Sequence, residues 1–192
     1  PPTPAAAAPD PALWQRRHLI EQPPAQVIRA EAAGRRIGYD PWLHTEAALE
    51  RLAGTGAELV PLTPNPLDAV WQGRPAEPAA PAEAHPLRHA GTESAAKREA
   101  AAATLREAGE TAAVLADPHS VAWLLNLRGS DLAHTPLVLA RAILRADASV
   151  ELFLDATRAD AALRAHLGNG VGLRPPAEFG AALDSLAGAR VR

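Results

Sequence analysis

The chain contains no cysteine and no methionine, and Lys97 is its only lysine. The missing thiols exclude disulfides, thiolate nucleophiles and cysteine-bound metals in one step. They also fit a reducing compartment, and the chain is expected in the cytoplasm. Aromatic residues make up only 4% of the sequence, and much of the 47% hydrophobic share is alanine. The core is therefore expected to be thin, with Trp14, Trp42, Trp71, Trp123, Phe153 and Phe179 as its large fillers. The net charge is −3, so neither a nucleic acid nor an acidic membrane is expected as a partner. The predominance of arginine and alanine reads as a compositional bias of the source, not as a binding surface. No apolar run approaches the roughly 20 residues that cross a bilayer. The start lacks the basic-then-apolar pattern of a secretory signal.

What is present, 192 residues, is enough for one good-sized domain with its own core. Pro1 to Pro11 is rich in proline and alanine and is expected to be extended or disordered. The chain begins without methionine and stops at Ala189–Arg192, where a strand is starting, so it reads as a piece of a longer protein. Between these ends, turn signals separate short apolar runs. A helix is expected over Pro24 to Ala33 and a strand over Arg36 to Tyr39. Thr45 reads as the N-cap of a helix that Gly54 and Gly56 end. A strand follows over Glu58 to Leu62. Asn65-Pro66 and Asp117-Pro118 each pair an N-cap with a proline suited to the first helical position. Gln72 to Gly91 reads as a long loop wrapped over the surface. Ser94 is expected to cap a helix reaching about Ala108. Strands are expected over Thr111 to Ala116, Leu137 to Leu144 and Val150 to Leu154, the last two joined as a hairpin. Asp155 is expected to cap a helix to Leu167. A strand over Val171 to Leu173 and a helix opened by Pro175-Pro176 complete the series. This alternation predicts an α/β fold whose mixed β-sheet is covered by helices.

The stretch from Ser120 to Pro136 organises the rest. Val121 to Leu125 is an apolar helical run, with Trp123 expected in the core. Asn126 to Thr135 then places an amide, a guanidinium, a carboxylate and an imidazole along one loop. Asn126, Arg128, Asp131 and His134 are expected to lie together at an edge of the sheet, with Gly129 supplying a sharp turn through positive φ. Arg128 is the leading functional candidate, because its fork of donors suits a carboxylate. Its structural alternative is a salt bridge to Asp131 or to a neighbouring domain. An Asp131–His134 hydrogen bond is the simplest reading of that pair. The seven histidines are scattered, with no HExxH and no i, i+4 pair, so no metal site is expected. Ser130 is not framed as a nucleophile elbow. The glycines from Gly168 to Gly172 follow a helix, the reverse of the dinucleotide-binding order, and read as a cap and turn. No catalytic residue is assigned.

Three ordered segments carry a resemblance. Ala122 to Asp131 with His134-Thr135-Pro136, Gly38 to Thr45, and Asn65 to Trp71 with Arg74-Pro75 are similar to the second domain of the long, three-domain Xaa-Pro aminopeptidases of the creatinase/prolidase family. The resemblance implies a creatinase/prolidase N-terminal-domain-like fold. It implies that residues 1–34 hold a disordered start and a stub of the preceding domain, and that 35–192 form the second domain. It further implies a parent enzyme that removes the N-terminal residue from peptides with proline in second position. Two divalent ions, usually manganese, would sit in a C-terminal pita-bread domain that does not occur in this chain, and this chain alone would be inactive and hold no cofactor. The implied partners are a proline-containing peptide, the chain's own catalytic domain and a second copy in a homodimer. The other readings are a free-standing peptide- or protein-binding module, and a hydrolase of the same family with a different substrate.

Overall fold

The structure is a computed structural model and describes residues 10–192, so the expected disorder of the proline-rich start falls mainly outside the described residues. The chain forms two compact units, the first ending at Pro75 and the second running from Ala76 to Arg192. The division expected after Gly34 falls inside the first unit.

The first unit is built on a parallel pair of strands, β1 (Arg36–Tyr39) and β2 (Glu58–Pro61), aligned with Arg36 opposite Glu58 and Tyr39 opposite Pro61. Helix α1 (Pro24–Glu31) precedes β1, α2 (Glu46–Ala53) connects the strands, and α3 (Pro66–Val70) follows. The capping signals act as the sequence implies. Thr45 Oγ1 accepts from the Ala48 N–H, and Asn65 Oδ1 accepts from the Leu67 N–H. Asn65 also donates from Nδ2 to Asp40, fixing the turn after β1. No apolar side chain of this unit is fully buried among the described residues, and Trp14, Trp42 and Trp71 are exposed.

The core belongs to the second unit. Its sheet runs β4 (Ala112–Leu115), β6 (Arg141–Arg145), β7 (Val150–Phe153) and β8 (Val171–Arg174), the first three antiparallel and the last parallel. Side chains alternate across it as a pleat requires. Ala142, Leu144, Val150 and Leu152 face one core with residues of α5 (Ser94–Glu107), α6 (Pro118–Leu125) and α7 (Ala161–Leu167). Ala112, Ile143 and Phe153 face the other, under Phe179 of α8 (Phe179–Asp184) and Leu186. The final residues pair where a strand was expected, Val191 lying parallel to Ala112. The mixed α/β fold is the one that the alternation of elements predicts.

Several expectations are corrected. The segment 72–91 is not merely a wrapped loop. It contains β3 (Glu83–Ala84), paired antiparallel with β5 (Leu127–Arg128), and the short helix α4 (Leu87–Ala90). Ala82 is buried beside that pair and anchors it. Residues 137–140 lie outside the sheet, and β6 starts at Arg141. Asp155 caps only a single 3-10 turn over Ala156–Arg158, and Asp160 caps α7 separately. Ser94 does not cap α5, because its hydroxyl donates to the Leu124 carbonyl. The four tryptophans are exposed, so the expected aromatic core reduces to Phe153 and Phe179, packed edge to face with centroids 5.1 Å apart.

Candidate functional site: a cationic groove at the end of α6

Helix α6 begins at Asp117, whose carboxylate accepts from the His119 and Ser120 N–H groups. Side-chain hydrogen bonds from His119 and Ser120 pull the Asp117 pKa down to about 2. The helix ends at Asn126, which adopts the left-handed conformation, with φ 52°. That turn sends the chain into β5, where the Asn126 carbonyl accepts from the His85 N–H at 2.7 Å.

A helix C-terminus leaves carbonyls without partners and carries partial negative charge. Here three side chains from distant elements meet those groups. Ser94 donates to Leu124 O at 3.0 Å, and His166 donates to Leu125 O at 2.9 Å. Lys97 donates to Trp123 O at 3.0 Å and to Asn126 Oδ1 at 2.7 Å. Asn126 in turn donates from Nδ2 to Thr92 O at 2.9 Å. Lys97 is only 8% exposed and its ammonium lies 4.9 Å from the centre of the Trp123 ring. Burial lowers its pKa, and the neighbouring Arg128 lowers it further.

These groups border a groove of about 470 Å³. Its polar lining is Lys97, Asn126, Arg128, His85, His89, His119 and Thr135, and its apolar lining includes Trp123, Ala122, Pro136 and Leu137. The rings of His85 and His89 stack at 5.9 Å. The His85 pKa is lowered, first by desolvation and then by the charges of Arg128, His89 and Lys97. No aspartate or glutamate lines the groove.

Of the four residues expected together, the structure joins two. Asn126 and Arg128 line the groove. Asp131 is a separate feature. Its side chain is fully buried, pairs with Arg158 Nη2 at 2.5 Å, and accepts from the Leu139 N–H at 2.7 Å. The expected Arg128–Asp131 salt bridge and Asp131–His134 hydrogen bond are thus both replaced by the Arg158 pair. Arg128 instead donates from Nη1 to the carbonyl of Leu127. His134 is exposed in a tight turn, with φ 61°. Gly129 is also corrected: it does not have positive φ, and what demands glycine is the close approach of Val138 and the Leu137 carbonyl. The sequence reading missed Lys97, His85, His89 and the exposed Trp123. The one signal available was a lone lysine in a helix otherwise rich in alanine.

The groove does not suit a metal ion. Among the described residues no group of three or more His, Asp or Glu side chains could hold one. The ammonium of Lys97 and the guanidinium of Arg128 would also repel a cation. No step is therefore derived through a metal bound here.

The second unit is thus a mixed α/β domain whose polar site is a cationic groove with no group of metal ligands among the described residues. Residues 73–192 match the model of the Creatinase/Prolidase N-terminal domain, and the chain belongs to that family. It is 36% identical to Aminopeptidase P2 of Arabidopsis thaliana over 81% of this chain and 23% of that protein. It is 35% identical to a probable Xaa-Pro aminopeptidase P of Coccidioides posadasii over 85% of this chain and 26% of that protein. Among solved structures it is similar to an X-prolyl aminopeptidase from Caenorhabditis elegans, described as a cytosolic enzyme with a di-nuclear active site. That match has a TM-score of 0.77 and 27% identity, and covers 84% of this chain and 27% of that one. The chain therefore spans about a quarter of the length of the relatives it matches.

Proposed function

We propose that this chain is a non-catalytic part of a metal-dependent Xaa-Pro aminopeptidase, an enzyme that removes the N-terminal residue from peptides with proline in second position. The observation that carries the reading is the match of 81–85% of the chain to aminopeptidases P, confined to about a quarter of each relative. Residues 76–192, in place of the expected 35–192, are read as the family's second domain, because the compact unit begins at Ala76 and the family match at residue 73, and residues 10–75 are read as belonging to the domain before it. The exposed Trp14, Trp42 and Trp71 of the first unit support this, since apolar surface of that kind is normally covered by partner structure. The chemistry would lie with two metal ions, manganese by the family's habit, in a catalytic domain of the same enzyme. Two-metal sites activate the attacking water and polarise the scissile carbonyl. Asn126 and Arg128 are assigned to a contact with the substrate or with that catalytic domain, and Asp131 and His134 lie outside the groove. A cytoplasmic location and a homodimer complete the reading. The net charge of −3 favours neither nucleic acid nor an acidic membrane, and no described helix is long and apolar enough to cross a membrane.

The test compares two proteins, each incubated with manganese and an Xaa-Pro peptide. The 192-residue chain should release no N-terminal residue and retain no metal after dialysis. The whole gene product should release the N-terminal residue and retain metal. A gene product that does neither would favour a binding module instead.

A further inference from the structure

We propose that the groove at the end of α6 binds the free α-carboxylate of a short peptide, with Arg128 and Lys97 as its charge partners. The choice of a peptide over other carboxylates rests on the peptidase reading above. The site itself rests on geometry. Lys97 is nine-tenths buried, yet both of its hydrogen-bond acceptors, Trp123 O and Asn126 Oδ1, are neutral oxygens. An ammonium withdrawn from water without an anion is unusual, because burial of a charge is costly unless it is paired. Arg128 adds a second unpaired cation on the same wall. Register sets Glu83 opposite Arg128, but the two form no ion pair. Arg128 spends one N–H on Leu127 O and, among the described residues, has no carboxylate partner, leaving the rest of its fork free. His119, at the rim, already has the Asp117 carboxylate as its ring partner at 3.1 Å within the domain.

The groove is therefore lined by two cationic side chains and, among the described residues, by no carboxylate. Desolvation lowers the Lys97 and His85 pKa values first and repulsion from neighbouring cations adds to it, and a bound anion would offset that repulsion. The remaining wall decides which anion. Trp123, Pro136 and Leu137 are apolar and suit the carbon skeleton next to the charged group. A volume of about 470 Å³ suits a small organic ligand, not a bare ion. The guanidinium fork matches a carboxylate with two parallel hydrogen bonds.

The test uses the 192-residue chain and ¹⁵N NMR signals of the Trp123 indole and the Asn126 side-chain amide. The probes are N-acetyl-Gly-Gly with a free carboxylate, the same peptide as its C-terminal amide, and inorganic phosphate. The acid should bind at least about tenfold more tightly than either of the others, a difference large enough to read from the titration. Arg128→Gln, a half-exposed position whose substitution leaves the core intact, should weaken the acid by about tenfold and the amide hardly at all. Lys97→Met is the second variant, with folding checked by circular dichroism. Equal binding of acid and amide, tighter binding of phosphate, no response to the acid, or wild-type affinity in Arg128→Gln would each overturn the inference. The peptidase reading fails separately. A gene product that cleaves Xaa-Pro peptides while the groove ignores carboxylates refutes this site alone, and a carboxylate-binding groove in an inactive gene product refutes the peptidase reading alone.

Discussion

The ammonium of Lys97 lies 2.7 Å from the side-chain oxygen of Asn126, joining α5 to the left-handed residue that ends α6. This one bond links three things: the satisfaction of a helix end, the direction of the chain into β5, and the positive charge of the groove. The same amide reaches Thr92 with its nitrogen, so Asn126 is held from both sides.

Asn126→Ala should therefore be costly. It leaves a buried ammonium with the Trp123 carbonyl as its one remaining acceptor, removes a charge-assisted hydrogen bond, and places a β-carbon without amide compensation at φ 52°. A loss of about 2–4 kcal/mol is expected, combining the usual 1.5–3 for a bond to a charged group with backbone strain. Asn126→Gly, which accepts the φ without penalty, should recover only the strain. Urea unfolding of both variants reads the difference. Wild-type stability in Asn126→Ala would mean that the Lys97 bond contributes nothing.

Because Lys97 is the only lysine, its titration is visible without assignment. A folded-state pKa below the ordinary 10.5 means that the folded chain holds this proton less tightly than the unfolded chain. Stability contributed through Lys97 should then rise with pH between the folded value and 10.5, and be level below both. The ¹³Cε signal of Lys97 should titrate below a free-lysine reference, and Lys97→Met should flatten that alkaline slope of stability. A titration at or above the reference would show that the amine is solvated.

Trp123 is 58% exposed, and its removal should matter little to folding. Trp123→Ala should cost less than about 1 kcal/mol, the scale of a cation–π contact plus a surface substitution. Acrylamide should quench this indole as readily as an exposed one in a single-tryptophan background. A loss near the 3–5 kcal/mol typical of a buried aromatic would overturn the exposed placement.

The failures and successes of the sequence reading have physical causes. Local signals survived: Asn65-Pro66 and Asp117-Pro118 open their helices, and the β6–β7 hairpin forms where two apolar runs flank Arg145 to Ser149. Each depends on neighbours in the chain. Trp123 was misplaced because Val121 to Leu125 is apolar throughout, and such a run gives no periodicity to say which side chain leaves the core. The groove was half legible for a related reason. Asn126 and Arg128 share one segment, but Lys97 is 29 positions from Asn126, and Arg158 is 27 from Asp131. Such pairings are made by tertiary packing, and composition alone does not announce them.

The Asp131–Arg158 pair gives the sharpest test of how the loop after β5 is held. The Asp131 side chain is fully buried and that of Arg158 nearly so, at 8% exposed. Besides the carboxylate, Arg158 holds the carbonyl of Ala80 at 2.8 Å, while Asp131 holds the N–H of Leu139. The pair therefore ties the segment before β3 to the loop that leads into β6. Removing one partner leaves the other charge buried and unmet. Asp131→Ala alone should cost about 3–5 kcal/mol, as single removals from buried pairs do. The attraction between two buried charges offsets much of their desolvation, so replacing both with apolar groups is far less harmful than replacing one. The double variant Asp131→Leu, Arg158→Met should thus regain a large part of that loss. Thermal unfolding of the two singles and the double closes the cycle. Strictly additive losses would mean that each residue acts through its backbone contacts and that the ion pair contributes no coupling.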